Sequence, residues 1–413
     1  MAEVKLNREN SVGLQVQDLW EESKLDPTEK LNACFERIPV SDFPATPQGF
    51  NSFPPHCFDL GFGFRLISCV PEIEVRSDAS LAEAVQILAQ NKILSAPVVN
   101  VDAPEDASWI DRYIGMVEFA GIAVWILQQS EPPSPAIASP EDASVTSGDF
   151  FKSLTSSEFY KKTKVREISG SFRWAPFLAL EQSNSFLALL ILLSKYRMKS
   201  VPIVDFGDGR IKNIITQSAV INMFAECTGL HWFESWGAKK LSEIGLPVIT
   251  TERLIRIRED ESVLQAFELM SKKKIGGLPV VDAEGSKAIG NISLRDIQFL
   301  LTAPEIYHEY SLLNRSITAK NFLIAVKKHL EEHDTGSPML SGMITCKRDQ
   351  TVKELIQLLN SKKIQRLYVV DDDGNLEGVV TLRDIISRLV YEPPGYFGDF
   401  FDSMLPPPDN NGV

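Results

Sequence analysis

One spacing recurs four times along this chain and restricts its fold more than any other feature. Ser80 to Pro97, Ser185 to Pro202, Ser262 to Pro279 and Thr351 to Tyr368 are each seventeen residues apart. Self-similarity in a fixed register is the signature of a chain built from repeated supersecondary units. Each unit opens on a Ser or Thr suited to cap a helix, followed by apolar residues at helical spacing, as in Leu81, Ala84, Val85 and Leu88 or Val352, Leu355, Ile356 and Leu359. The strand that follows reads SAPVV, SVPIV, GLPVV or RLYVV, a continuous apolar run that predicts a strand covered on both faces. Asp205, Asp282 and Asp371 then predict turns, most plainly in Asp371-Asp372-Asp373-Gly374. Second strands are expected at Tyr113 to Val117, Asn213 to Ile215, Ile289 to Ile292 and Gly378 to Val380, each leading into another helix.

The predicted order is therefore β-α-β-β-α, four times, in a mixed α/β (α+β) chain. A unit of about 60 residues cannot cover both faces of its own sheet, so neighbouring repeats are expected to pair into two modules.

Composition narrows the partners. A formal charge of −13 over 413 residues excludes nucleic acid and anionic membrane as principal partners, since both require a dense basic field. Five scattered cysteines, Cys34, Cys57, Cys69, Cys227 and Cys346, form no C-x-x-C pair and are expected to be reduced intracellular thiols. The charged opening MAEVKLNREN has no apolar signal core, and the run Phe186 to Leu193 is too short to cross a bilayer. The expected location is cytoplasmic, with the nucleus as a second compartment.

The repeat, with GNISLRDIQFL at Gly290 to Leu300 and GVVTLRDIISRLV at Gly378 to Val390, resembles the cystathionine-β-synthase (CBS) repeat, two of which form a Bateman module. Four such repeats with little else attached resemble the gamma subunits of the AMP-activated protein kinase family. KLNACFERIPVSDF, VDAPEDASWIDRYIG, LTSSEFYKKTKVREISG, TAPEIYHEY and EPPGYFGDFF look like the plant form, the gamma regulatory subunits of sucrose-non-fermenting-related protein kinase. The resemblance implies a pseudo-symmetric disc of two Bateman modules, and a non-catalytic energy-sensing subunit controlling carbohydrate and related metabolism. It implies assembly with a catalytic alpha and a scaffold beta subunit. It implies no required cofactor, with AMP, ADP or ATP as regulatory ligands.

On this reading residues 1–48 are an N-terminal docking arm and 49–70 an atypical insertion, offered as a splice-variant segment because the family runs almost directly into its first repeat. The repeats occupy 71–131, 165–228, 247–304 and 338–392. Linkers span 132–164, 229–246 and 305–337, the last slightly lengthened near Ser311 to Asn314, and 393–413 form the tail. Trp232 and Trp236, and the aromatic tail Gly395 to Phe401, are either core cover or partner surface.

The resemblance further implies that an Asp opening each second helix holds ribose hydroxyls, a task for a group that accepts from two donors at once. Ser293-x-x-Asp296 and Thr381-x-x-Asp384 match, whereas the first two repeats carry Glu118-x-x-Gly121 and Thr216-x-x-Ala219. Nucleotide is therefore expected in the C-terminal module, with Arg366, Arg383 and Lys274 as basic residues for the phosphates. The competing reading of both Ser/Thr-x-x-Asp motifs is a helix capping box. Leu94, Lys199-Ser200, Gly276-Gly277 and Gln365 replace much of the His/Arg pattern of animal gamma subunits, which keeps open a nucleotide-blind structural subunit.

Other motifs are set aside. The LRD triplets at Leu294 and Leu382 lack the downstream Asn of a kinase loop, and no glycine-rich loop accompanies them. Asp371, Asp373 and Asn375 mimic a calcium loop, but Leu376 stands where its glycine belongs. His329 and His333, one turn apart, lack the glutamate of a zinc-protease helix and read as a solvated helix face.

Overall fold

All four capping residues do what their positions predict. In the computed structural model, which describes residues 11–44, 73–91, 93–129, 158–168, 178–207, 210–303, 305–306, 317–334 and 337–398, the first helices are Leu81–Gln90, Phe186–Ser194, Val263–Lys273 and Val352–Ser361. The hydroxyls of Ser80, Ser185, Ser262 and Thr351 accept from the backbone N–H of Glu83, Ala188, Leu264 and Glu354 at 3.1–3.3 Å. Glu83, Gln265 and Glu354 close capping boxes by accepting from the cap backbone.

Each repeat then builds the same small sheet. The central strands are Ser95–Val99, Ser200–Asp205, Gly277–Val281 and Arg366–Val370, with buried middles as the sequence predicts. The following strands, Tyr113–Glu118, Arg210–Thr216, Ala288–Ser293 and Leu376–Thr381, pair antiparallel with them, each pair carrying one register shift near the turn end.

The leading strand of the predicted order, to which the sequence assigned no residues, is two residues long and lies parallel on the other flank in every repeat: Val75–Arg76, Leu180–Glu181, Ile257–Arg258 and Thr345–Cys346. In the first three repeats this ladder begins one residue after Pro97, Pro202 and Pro279. In the fourth, where Tyr368 replaces proline, it begins at Tyr368 itself. Proline has no N–H to give to a ladder, so the flank beside it stays open. Ile249–Thr250 adds a fourth strand to the last sheet.

The linkers are tied down by one device used four times. Lys164, Pro39, Thr318 and Lys240 each form an isolated antiparallel bridge with the capping residues Ser80, Ser185, Ser262 and Thr351. Three backbone hydrogen bonds recur around every bridge, as in Leu81 N–H to Thr163 O, Val165 N–H to Ala79 O and Arg166 N–H to Ser77 O. The segment preceding the second repeat thus docks on the first, and the segment preceding the first docks on the second. The third and fourth repeats exchange segments in the same way. Each repeat thus receives backbone from the segment that leads into its neighbour, a device that no side-chain pattern announces.

Two compact units result: residues 1–47, 174–254 and 344–413 hold the second and fourth repeats, and 48–173 with 255–343 hold the first and third. Each unit thus groups alternate repeats. The physical reason lies in the helices. All nine residues of Phe186–Ser194 are buried, and a helix apolar all round needs helices as partners. It packs on Leu382–Ser387, while Val352–Ser361 packs on Gln217–Glu226. In the other unit Leu81–Gln90 packs on Ile297–Thr302, and Val263–Lys273 on Phe119–Gln129, the same arrangement.

Residues 11–44, read from sequence as part of a docking arm, form helices Ser11–Glu22 and Pro27–Arg37, which enter the core of the second-and-fourth-repeat unit through Val12, Val16, Trp20, Leu31, Phe35 and Ile38. Trp232 and Trp236 are core too, and Tyr396 and Phe397 pack against it from the tail. The 49–70 insertion and the Ser311 to Asn314 extension lie outside the described residues.

Cys34, Cys227 and Cys346 are buried free thiols; Cys57 and Cys69 lie outside the described residues. Burial pushes the Cys34 thiol up to about 11, against the lowering pull of Lys30 and Arg37, and the Cys346 thiol up to about 12. Only thiolates react readily. Alkylation at pH 8 followed by peptide mass mapping is therefore expected to label these three only after denaturation. Labelling of Cys346 in the native chain within minutes would contradict the packing. No helix among the described residues is long and apolar enough to cross a membrane.

Candidate functional site: the corners where the second helices begin

In every repeat the last strand runs directly into the second helix, and a backbone hydrogen bond pins that junction to the start of the central strand. The N–H groups of Phe119, Gln217, Leu294 and Leu382 donate to the carbonyls of Leu94, Lys199, Gly276 and Gln365 at 3.1–3.2 Å. These acceptors are the positions where the sequence departs from the His/Arg pattern. The fold thus sets those positions beside the helix start, where the Asp of the Ser/Thr-x-x-Asp motif lies in the third and fourth repeats.

The fourth repeat has the most complete corner. Arg366 pairs in register with Thr381, the cap of Leu382–Ser387. Asp384 closes a capping box: its Oδ2 accepts from Thr381 N–H at 2.8 Å and from Thr381 Oγ1 at 2.7 Å, and its own N–H donates to Thr381 Oγ1 at 3.3 Å. Oδ1 takes no part in that box. Arg383 is half-buried beside it. Arg197, exposed after the first helix of the second repeat, adds charge here. Its guanidinium pKa is lowered, first by desolvation and then by the charge of Arg383.

In the third repeat, which belongs to the other unit, Asp296 is 1% exposed and its Oδ2 accepts from Ser293 N–H at 2.7 Å. Its Oδ1 lies 3.6 Å from Arg295 Nε. Ser293 Oγ is buried in a capping box with Asp296, and no acceptor for its own proton is found among the described residues, a donor of the kind a ligand polar group satisfies. The register partner of Ser293 is Gly277, so the strand position that supplies Arg366 in the fourth repeat supplies no cation here. Lys274 is exposed, two residues before Gly276, at a left-handed φ of 54°.

Both readings of the Ser/Thr-x-x-Asp motif thus meet in one geometry. The acids do cap their helices, each with one oxygen. Capping does not require them, since Thr216 caps Gln217–Glu226 through its hydroxyl alone, accepting from Ala219 N–H at 3.1 Å. Both corners carry a capping carboxylate, and of the two only the fourth-repeat corner has a cation in register with its cap. Asp384, Thr381, Arg383 and Arg366 are brought together in one unit; Asp296, Ser293 and Lys274 lie in the other.

Sequence reasoning missed Arg197 and Arg295. Arg197 stands twelve residues past its helix cap, as Lys274 and Lys363 do, and all three adopt φ of 52–57°. That shared offset was the signal. Arg295 was legible only as the centre of an LRD triplet.

Comparison with known proteins places this geometry. The CBS domain family matches residues 241–302 and 339–391. A solved archaeal structure, protein MJ1225 from Methanocaldococcus jannaschii, described as a putative homolog of gamma-AMPK, superimposes with a TM-score of 0.53 at 14% identity, covering 76% of this chain and 94% of that one. It shares the fold. Among curated sequences, the Arabidopsis thaliana SNF1-related protein kinase regulatory subunit gamma-1 is 59% identical over 98% of this chain and 94% of its own length. An Arabidopsis gamma-1-like subunit is 34% identical over 89% of both chains. With four CBS-type repeats and near full-length identity to that subunit, the chain belongs to the plant family of SNF1-related protein kinase gamma regulatory subunits.

Proposed function

We propose that the chain acts as the non-catalytic gamma subunit of a heterotrimeric SNF1-related kinase, with a catalytic and a scaffold subunit as partners, and that it binds adenine nucleotide through the corners of its third and fourth repeats. In this reading Asp384, with Asp296, accepts from ribose hydroxyls, and Thr381 and Ser293 orient them. Arg366 and Arg383 face the phosphates, and Lys274 adds a more distant charge. The observation that carries it is the fourth-repeat corner, where a cation sits in register with a helix cap whose acid uses one oxygen for capping. The complex would work in the cytoplasm and nucleus, adjusting carbohydrate metabolism to the adenylate pool. Regulation requires that nucleotide bind two assembled states with different affinity.

A second reading, a nucleotide-blind structural subunit, is favoured by the carboxylates' capping duty and by Leu94 and Gly276 at the slots of the first and third repeats. Isothermal titration of AMP, ADP and ATP into the purified full chain separates the two. Binding is expected to weaken at least about tenfold in Asp384→Asn, since the amide oxygen can still accept from Thr381 N–H while the charge is lost. Asp296→Asn is expected to lose less. An absence of heat with all three nucleotides in a folded sample would leave the structural reading standing.

A further inference from the structure

The two ends of the chain meet at the cap of the second repeat's first helix. In the other three repeats the third residue of that helix, Glu83, Gln265 or Glu354, closes a capping box, but Ala188 stands there in the second repeat and has no side-chain acceptor to offer. Ser185 still caps, accepting from Ala188 N–H at 3.1 Å, and its hydroxyl is joined by groups from both termini. Glu36, on helix Pro27–Arg37, places its Oε2 3.2 Å from Ser185 Oγ. Tyr396, 360 positions further along, donates its hydroxyl to the same Glu36 oxygen at 2.5 Å and lies 2.8 Å from Ser185 Oγ. Burial first, and then the bond to Glu36, raise the Tyr396 pKa well above the ordinary tyrosine value, so its hydroxyl stays a donor.

Two further contacts fasten the same tail. Asn32, 4% exposed on helix Pro27–Arg37, pairs with the Tyr391 backbone in both directions: its Nδ2 donates to the Tyr391 carbonyl at 2.6 Å, and its Oδ1 accepts from Tyr391 N–H at 3.2 Å. Tyr196 donates to Glu392 Oε1 at 2.5 Å, and its ring meets Phe397 edge-on at 5.5 Å. Between these points the tail makes two turns, Tyr396 N–H to Pro393 O and Gly398 N–H to Gly395 O, with Gly395 and Gly398 at left-handed φ of 68° and 60°. Tyr391, Pro394, Gly395 and Gly398 are exposed, so polar bonds rather than apolar burial hold much of the segment. A segment held that way sits at the low-stability end of a fold and opens before the core does. We propose that residues 391–398 form a strap that locks helix Pro27–Arg37 onto the second-and-fourth-repeat unit, and that strap and helix open together as one local unit while the repeats stay folded. Whatever grips the tail therefore also fixes the N-terminal helix.

Native-state hydrogen exchange on the full chain, read by mass spectrometry, tests the strap. Tyr396→Phe keeps the ring and removes only the hydroxyl. It is expected to speed exchange at least about tenfold over both 391–398 and 27–37, the scale of a lost hydrogen bond to a charged group, with Val352–Ser361 unchanged. Glu36→Ala, at an exposed site on the same helix, is expected to give the same pattern. The double variant should add little to either single one, because both changes break the same bond. Faster exchange confined to 391–398 would show that the tail frays alone and would overturn the lock. No change in either segment would overturn it too, as would an equal rise across Val352–Ser361, the mark of global loosening. Effects that multiply in the double variant would overturn the shared latch.

Discussion

Trp232→Ala is expected to destabilise the chain by about 3–5 kcal/mol, the usual cost of emptying a fully buried large aromatic site. Trp232 has no exposed surface and meets Phe35, Phe224 and Phe233 edge-on at 5.7–6.3 Å. Its Nε1–H also donates to the carbonyl of Gly13 at 3.1 Å, fastening helix Ser11–Glu22 to the linker helix His231–Gly237 that follows the second repeat. The loss should therefore appear twice: as a lower urea midpoint, and as faster amide exchange over residues 12–22. Trp232→Phe keeps most of the apolar volume but loses the hydrogen bond to the Gly13 carbonyl, for about 0.5–1.5 kcal/mol. An unchanged midpoint in Trp232→Ala would mean that the N-terminal helices do not pack as described.

The second large effect needs only one methyl group. Gly378 sits in the last strand of the fourth repeat, paired with Thr250, and a Cβ there would meet the Ile249 carbonyl and the Pro247 ring at 2.5 Å. One obstacle is backbone and the other a rigid ring, so neither can yield cheaply. Gly378→Ala is expected to cost about 1–3 kcal/mol as overpacking and to loosen the edge strand Ile249–Thr250. Gly290, the other strand glycine with a close neighbour, faces the flexible end of the Leu323 side chain. Gly290→Ala should cost clearly less. Equal urea midpoints for the two variants would sink the steric argument.

The comparison of sequence with structure turns on which interactions leave a mark on side chains. Ser80, Ser185, Ser262 and Thr351 were legible as caps because capping is local, a hydroxyl meeting a backbone N–H two or three residues on. The central strands were legible because burial on both faces demands unbroken apolar runs. The candidate acids, Asp296 and Asp384, were legible through a motif, and the structure shows their capping bonds.

The linker bridges were not legible, because backbone hydrogen bonds are made by every residue type: Lys164, Pro39, Thr318 and Lys240 share no chemistry. Nor was the place of residues 11–44, whose apolar face could equally have met another protein. The sequence by itself determined the repeat, its element order, the caps and the family, all of which rest on short-range patterns. Tertiary structure alone decided that alternate repeats share a core, that neighbours exchange backbone, and that Arg197 lies within electrostatic reach of Arg383, because long-range pairing follows from which surfaces fit rather than from the order of residues along the chain.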